Sequence, residues 1–401
     1  MKKTILFFSE AVTVAHVIRL YKLACSLDAE IYDVHFAVAD RYSYVFSSHH
    51  TISFHSINSV ESMEFIRRAQ HAEPMYKIDE LINYVKEDEK TIRKVQPDLI
   101  IGDMRQSLCV STRTTKTTYI AMTNAYWSKY INNKQFIIPE LRQINMNEIP
   151  FISAIMPIYF YFFFKNQGKV LNELRRYYKL PIFEHCLDGW NFGDHLVYSD
   201  PKILFDTSRS PSNHHFLGSI NWEPDVPLPI WWQELSDTKK TAYVALGSSG
   251  DKSLIPLIVE KLLSENFQVI ISGVNESERS FIFDDASVFS SELIPGSLAA
   301  ARSDLVISNG GSPTSYQSLL AGTPVIGIPT NLDQLMSMKF IERNNAGKIL
   351  RPREVGTTKH TKVLKEIQKI KYKERAEEIS AELATISPEE NFAKVLMSIL
   401  N

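Results

Sequence analysis

The chain has 401 residues, 44% hydrophobic and 22% charged, with a formal net charge of -2. That length exceeds one ordinary core and predicts two domains of a globular protein. The near-neutral balance gives no reason to expect nucleic acid or an anionic membrane as partner, and three widely spaced cysteines (Cys25, Cys109, Cys186) fit a reducing compartment, without a disulfide framework or metal site.

The first element is Thr4 to Phe8, an apolar run that meets Glu10 almost at once. It is too short for a secretory signal core, so it predicts a fully buried parallel strand in a cytoplasmic protein. A loop, Ser9 to Ala15, leads to a helix with Val17, Leu20, Leu23, Ala24 and Leu27 on one face, and Val34 to Val38 is the next strand. Strand, loop, helix and strand at this spacing open a doubly wound domain. His16 falls near the helix N-terminus, where it reads either as a structural histidine or as a general base, the role its ordinary titration range suits.

Glu61 to Lys94 has helical spacing throughout, and Leu99 to Ile101 is a strand with Asp103 at its carboxyl end. A carboxylate there can orient a base or cap a turn. Ala121 to Phe164 is crowded with aromatics, including Tyr126, Trp127, Phe151 and Tyr159, which suit the wall of an apolar pocket and core packing equally. Within it, Ile149 to Phe164 is about 16 residues against the roughly 20 that span a bilayer. It is expected to be buried or pocket-lining, with peripheral membrane contact as the other reading. His49-His50 and His214-His215 lack the clustered partners of a metal site. Leu196 to Ser199 reads as the last strand of this half, and the prolines of Asn221 to Pro229 predict an exposed linker.

The second half begins with the strand Thr241 to Leu246 and the turn Gly247-Ser248-Ser249-Gly250, then a helix from Ile255 and a strand to Ser272. Glycines let a backbone approach phosphate, and serine hydroxyls donate to it. After Leu293-Ile294-Pro295 comes the organising stretch: the apolar run Leu305 to Ile307, Ser308, the pair Gly310-Gly311, a helical segment Thr314 to Ala321, and a second strand Pro324 to Ile328. Asp333-Gln334 lie just beyond. Such a βαβ unit gathers polar groups at the carboxyl ends of parallel strands, where open α/β sheets bind ligands. The backbone N–H groups of Ser312 to Thr314 would seat a phosphate. A Lys/Glu-rich helical tail ends in a helix from about Asn391 to Leu400.

Asn309 to Gln334 resembles the donor-site signature of the UDP-glycosyltransferases of GT-B architecture, roughly H-G-G-x-G-T-x-x-E, then G-x-P, then P-x-x-x-D-Q. Gly310, Gly311, Thr314, Gly322, Pro324, Pro329, Asp333 and Gln334 match in register. Asn309 stands for the histidine, Pro313 for a glycine and Gln317 for the glutamate. The start of the chain is similar too, with Ala15 in place of the glycine of a Gly-His pair and His16 retained.

The resemblance implies an α/β, GT-B fold: two Rossmann-like doubly wound domains facing across a cleft, with a C-terminal helix crossing back to the first. The expected boundaries are 1–220 for the acceptor-binding domain, 221–238 for the linker, 239–385 for the nucleotide-sugar domain and 386–401 for the returning helix. It further implies an inverting, metal-independent glycosyltransferase, close to the macrolide and natural-product enzymes. Such an enzyme moves a sugar from a UDP or dTDP sugar to a hydroxyl of a small, largely apolar or lipid-like acceptor. Those two substrates are the only partners expected, with no cofactor and no metal, since no D-x-D pair appears; the oligomeric state is left open.

By the same resemblance His16 is the base and Asp103 its hydrogen-bonding partner. The donor diphosphate falls to Ser248, Ser249, Asn309, Gly311, Ser312 and Thr314, the nucleoside to Leu293, Ile294 and Gln317, and the donor sugar to Asp333 and Gln334. The acceptor pocket falls to Tyr126, Trp127, Phe151 and Tyr159. The three departures at Asn309, Pro313 and Gln317 predict weaker donor binding, an unusual donor or a degenerate site. They keep open a catalytically silent binding partner and a nucleotide-sugar epimerase.

Overall fold

The computed structural model describes residues 2–46, 51–71, 73–131, 152–223, 226–247, 249–275, 278, 283 and 285–400. They fall into two compact units, one within Met1–Phe136, Ser153–Ile220 and Ser387–Asn401, the other built on Asn221–Ile386. Each carries a parallel sheet of the doubly wound kind.

In the first unit the strands are β1 (Lys3–Ser9), β2 (Tyr32–Val38), β3 (Ile52–Ser56), β4 (Leu99–Asp103), β5 (Tyr119–Thr123), β6 (His195–Tyr198) and β7 (His214–Phe216), in the order β3-β2-β1-β4-β5-β6-β7. Ile5 to Phe8 and Leu99 to Ile101 are fully buried, as expected of central strands covered on both faces. Sheet order reverses between the neighbours β1 and β4, so the crevice for a ligand opens at their carboxyl ends. There Ser9 lies opposite Asp103 in the ladder.

Three expectations need correction in this unit. Leu196 to Ser199 is not its last strand, because β7 pairs beyond β6. The helical stretch Glu61 to Lys94 is two helices, Ser62–Gln70 and Ile78–Val95, parted at Pro74, which has no N–H to continue the ladder. The apolar run into Phe164 begins a helix, Ile152–Tyr177, that is not simply buried: Ile158 is 59% and Phe162 61% exposed. No helix among the described residues is long and apolar enough to cross a membrane.

The final helix, Pro388–Leu400, belongs to the first unit. Phe392 is fully buried with its ring 6.2 Å from Phe7, and Asn391 Nδ2 donates to the Leu217 carbonyl at 3.1 Å. A short amphipathic helix gains its stability from such packing rather than from its own hydrogen bonds.

The second unit has β8 (Lys240–Ala245), β9 (Phe267–Ser272), β10 (Val288–Ser291), β11 (Leu305–Ser308), β12 (Val325–Gly327) and β13 (Gly347–Ile349), ordered β10-β9-β8-β11-β12-β13. Here the order reverses between β8 and β11. The stretch after the prolines is docked rather than loose: Trp231 lies 5.4 Å from Phe289 and its Nε1 donates to the Ser290 carbonyl. Gly310 turns the chain from β11 into the next helix with φ of +82°. A Cβ there would lie 2.7 Å from Met338 Cγ, so both the conformation and the space require glycine.

Candidate active site

The reversal point of the first sheet places a titratable pair. His16 stands in the first turn of the helix Val14–Cys25, which follows β1, and Asp103 ends β4. His16 Nδ1 is 3.0 Å from Asp103 Oδ1; the ring is 20% exposed and the carboxylate fully buried. Burial pushes the Asp103 carboxyl up, but Arg19 and then His16 pull it down, and the balance lies below the ordinary carboxylate value. An ionised carboxylate only accepts hydrogen bonds. With the ring proton on Nδ1, Asp103 accepts it and Nε2 is the nitrogen left to act as a base; Arg19 also stands 3.1 Å from Nδ1.

The amino-acid order had not shown Arg19, one turn further along the same helix. Its Nε donates to Asp103 Oδ2 and one terminal nitrogen donates to Oδ1 at 2.6 Å. The other terminal nitrogen reaches Asn124 Oδ1 at 2.9 Å and Ser199 Oγ at 2.8 Å.

The reversal point of the second sheet gathers neutral donors instead. Ser249, after β8, accepts on Oγ from Asn309 Nδ2 and from Gln334 Nε2, each at 3.1 Å. Gln334 Oε1 accepts from the backbone N–H and hydroxyl of Thr330. Asn309 Oδ1 takes the Gly311 N–H at 3.0 Å. Two acceptor bonds fill the lone pairs of the Ser249 hydroxyl and leave its hydrogen to donate. The helix Ser312–Leu320 starts beside this knot, with Gly311 as N-cap and Pro313 in its first turn. The first-turn amides of Ser312 and Thr314 cannot be satisfied within the helix, and its dipole favours an anion there.

No protein-family model matches the chain. The PGL/p-HBAD biosynthesis glycosyltransferase of Mycobacterium tuberculosis (strain ATCC 25177 / H37Ra) is 35% identical over 362 residues, 89% of this chain and 82% of that protein. The PGL/p-HBAD biosynthesis rhamnosyltransferase of Mycobacterium bovis (strain BCG / Pasteur 1173P2) is 36% identical over 356 residues, 87% and 77% of the two chains. The chain belongs to this family of glycosyltransferases. A solved structure, the spinosyn rhamnosyltransferase SpnG complexed with thymidine diphosphate, is similar in fold over the whole of both chains, with a TM-score of 0.69 and 13% identity.

The remaining residues singled out in this glycosyltransferase are placed as follows. Leu293 is 54% exposed beside a buried Ile294, whose side chain turns inward and leaves only its backbone to meet a base. Gln317 is buried and donates its amide to the Trp222 carbonyl at 3.2 Å, holding the Asn221–Glu223 segment. Asp333 is exposed in the first turn of the helix Leu332–Arg343, while the Gln334 side chain is buried in the knot already described. Tyr126 is buried, and Trp127 packs edge-on to Trp190 at 5.3 Å and to Phe164 at 6.3 Å. Ser248, Phe151, His49-His50 and the side chain of Tyr159 lie outside the described residues.

Proposed function

We propose that this glycosyltransferase moves a sugar, with rhamnose the first to test, from a dTDP or UDP sugar to a hydroxyl of a small, largely apolar acceptor. The transfer inverts the anomeric centre and needs no metal. One observation carries it: a solvent-reachable imidazole at the reversal point of the first sheet, with Nδ1 3.0 Å from a buried carboxylate. His16 Nε2 takes the acceptor proton as the acceptor oxygen forms its bond to the anomeric carbon. The bond from that carbon to the diphosphate oxygen breaks, and the electron pair leaves with the diphosphate. A single displacement of this kind reverses the configuration. The proton ends on His16, whose ring stays held against Asp103.

In the second unit, charge on the departing diphosphate is met by the amides of Ser312 and Thr314, the hydroxyls of Ser249 and Thr314, and the helix dipole. Asp333 and Gln334 border the same knot and are proposed to orient sugar hydroxyls, Gln334 by exchanging a Thr330 or Ser249 bond for one to the ligand. Rhamnose and thymidine diphosphate come first because a relative is named a rhamnosyltransferase and SpnG was solved with that nucleotide. The aromatic group around Trp127 supports an apolar acceptor.

The test pairs UDP, dTDP and GDP sugars with 4-butylphenol, before and after treatment with EDTA. Expected is thermal stabilisation by dTDP-rhamnose or a UDP sugar, and transfer at a rate that EDTA leaves unchanged. Loss of turnover with EDTA would contradict metal independence. Conversion of a nucleotide sugar to its epimer with no acceptor present would replace transfer with a different reaction.

A further inference from the structure

We infer that Arg19 is a positioning residue of the transfer reaction: it clamps both oxygens of Asp103 and sets a fixed positive charge beside the His16 ring, so that the base depends on it for orientation and surroundings. This rests on the reading of His16 as the base. His16 and Arg19 are three residues apart on one helix and so share a face. The planar guanidinium meets both oxygens of Asp103, a geometry lysine cannot copy. Asp103 Oδ1 thereby accepts twice, from Arg19 at 2.6 Å and from His16 Nδ1 at 3.0 Å. The same guanidinium comes within 3.1 Å of His16 Nδ1.

With the ring proton on Nδ1, that last contact sets a permanent positive charge against the imidazole, since arginine has no lone pair to accept from it. A lone carboxylate beside a histidine favours the imidazolium and so withdraws the base at neutral pH. With Arg19 in place the carboxylate and guanidinium sum to zero near the ring.

The far end of the guanidinium is held as firmly as the near end. Asn124 and Ser199 accept from it. Asn124 donates in turn to Asp200 Oδ1 at 2.9 Å, and Asp200 Oδ2 accepts from the Ala125 N–H at 2.6 Å. Arg19 therefore joins the carboxyl ends of β4, β5 and β6 to the helix that bears the base.

The other titratable groups around this cluster are Asp200, Tyr126, Tyr119 and Glu10. Asp200 favours the charged guanidinium of Arg19 through its own charge, while Tyr126 is an uncharged phenol near neutral pH. Burial holds the Tyr119 hydroxyl well above its ordinary value, so it stays neutral, and Glu10 is engaged by Arg105.

The experiment measures kcat and KM from pH 5 to 9 with dTDP-rhamnose and 4-butylphenol, whose hydroxyl, like that of tyrosine, ionises only near about pH 10. In parallel, the His16 ring is followed by NMR of histidine-labelled protein without substrate, its signal identified by loss in His16→Ala. Arg19→Met is expected to lower kcat by roughly 10²-fold through misplacement of the base, with donor KM little changed. Its acidic limb and the His16 ring transition should both move up by about one pH unit, because removing a neighbouring cation favours the protonated ring. Arg19→Lys should return both to the wild-type position and leave kcat reduced. Ser199→Ala should lower kcat slightly without moving either.

Wild-type kcat and an unmoved ring transition in folded Arg19→Met would overturn the inference. So would an Arg19→Lys variant whose transition stays shifted. If Arg19→Met does not fold, Arg19→Lys decides, since wild-type kcat in it contradicts clamping. His16→Ala separates the two ideas: retained activity removes the base itself, whereas an inactive His16→Ala beside an unaffected Arg19→Met removes only the role of Arg19.

Discussion

His16→Ala lowers kcat by roughly 10²–10⁴-fold, the range that a well-placed general base supplies. Donor binding should be almost unchanged, because the proposed diphosphate cradle is built from residues of the other unit. Kinetics with a fixed donor and varied acceptor check this, together with thermal shift by the nucleotide alone. His16→Gln is a sharper control, since its amide can still bond to Asp103 but cannot accept a proton near neutral pH. An activity loss equal to that of alanine assigns the effect to proton transfer. Near-normal turnover in either variant would mean that the acceptor loses its proton elsewhere.

Arg105→Met is expected to cost about 3–5 kcal/mol of stability, the penalty for leaving buried charge without its partner. Arg105 is fully buried between two equally buried carboxylates, 3.1 Å from Glu10 and 3.0 Å from Asp88, with its guanidinium 3.9 Å above the Tyr84 ring. Ser107 and Ser111 also donate to Asp88, and the other terminal nitrogen donates to the Asn58 carbonyl. This network anchors the segment two residues beyond Asp103, so its loss should loosen the dyad as well as the fold.

The pH dependence has a definite sign. Burial pushes both carboxyls above their ordinary values despite Arg105, and removing the cation pushes them further. Groups that bind protons more tightly in the folded state lose stability as pH rises, from about 4, where unfolded carboxyls titrate, through their folded values. Chemical denaturation should therefore find the Arg105→Met deficit largest near pH 8 and smaller at pH 5. A deficit that grows on acidification would contradict the burial argument.

What the order of residues revealed follows the range over which each signal acts. The βαβ unit around Gly310 was legible because a buried strand, a glycine pair and an apolar helix face are all local patterns. The pairing of His16 with Asp103 spans 87 positions and was readable only through likeness to a known family. Arg19 carried no such mark. Its partners Asp103, Asn124 and Ser199 lie 84, 105 and 180 positions away, and only the folded sheet brings their strand ends together. β7 was missed because three residues at a sheet edge show neither alternation nor an apolar run. The departures at Asn309 and Gln317 acquire a physical sense in the structure. Neutral amides at these positions bind Ser249, Gly311 and Trp222 within the second unit, where a carboxylate at position 317 could not donate to the Trp222 carbonyl.

The most direct measurement is the anomeric configuration of the product, read by NMR from the one-bond carbon–hydrogen coupling at the transferred sugar. A single displacement driven by His16 yields the configuration opposite to that of the donor. A product with the donor's own configuration would contradict it, because retention needs a second displacement or a front-face path that a single base acting on the acceptor does not provide.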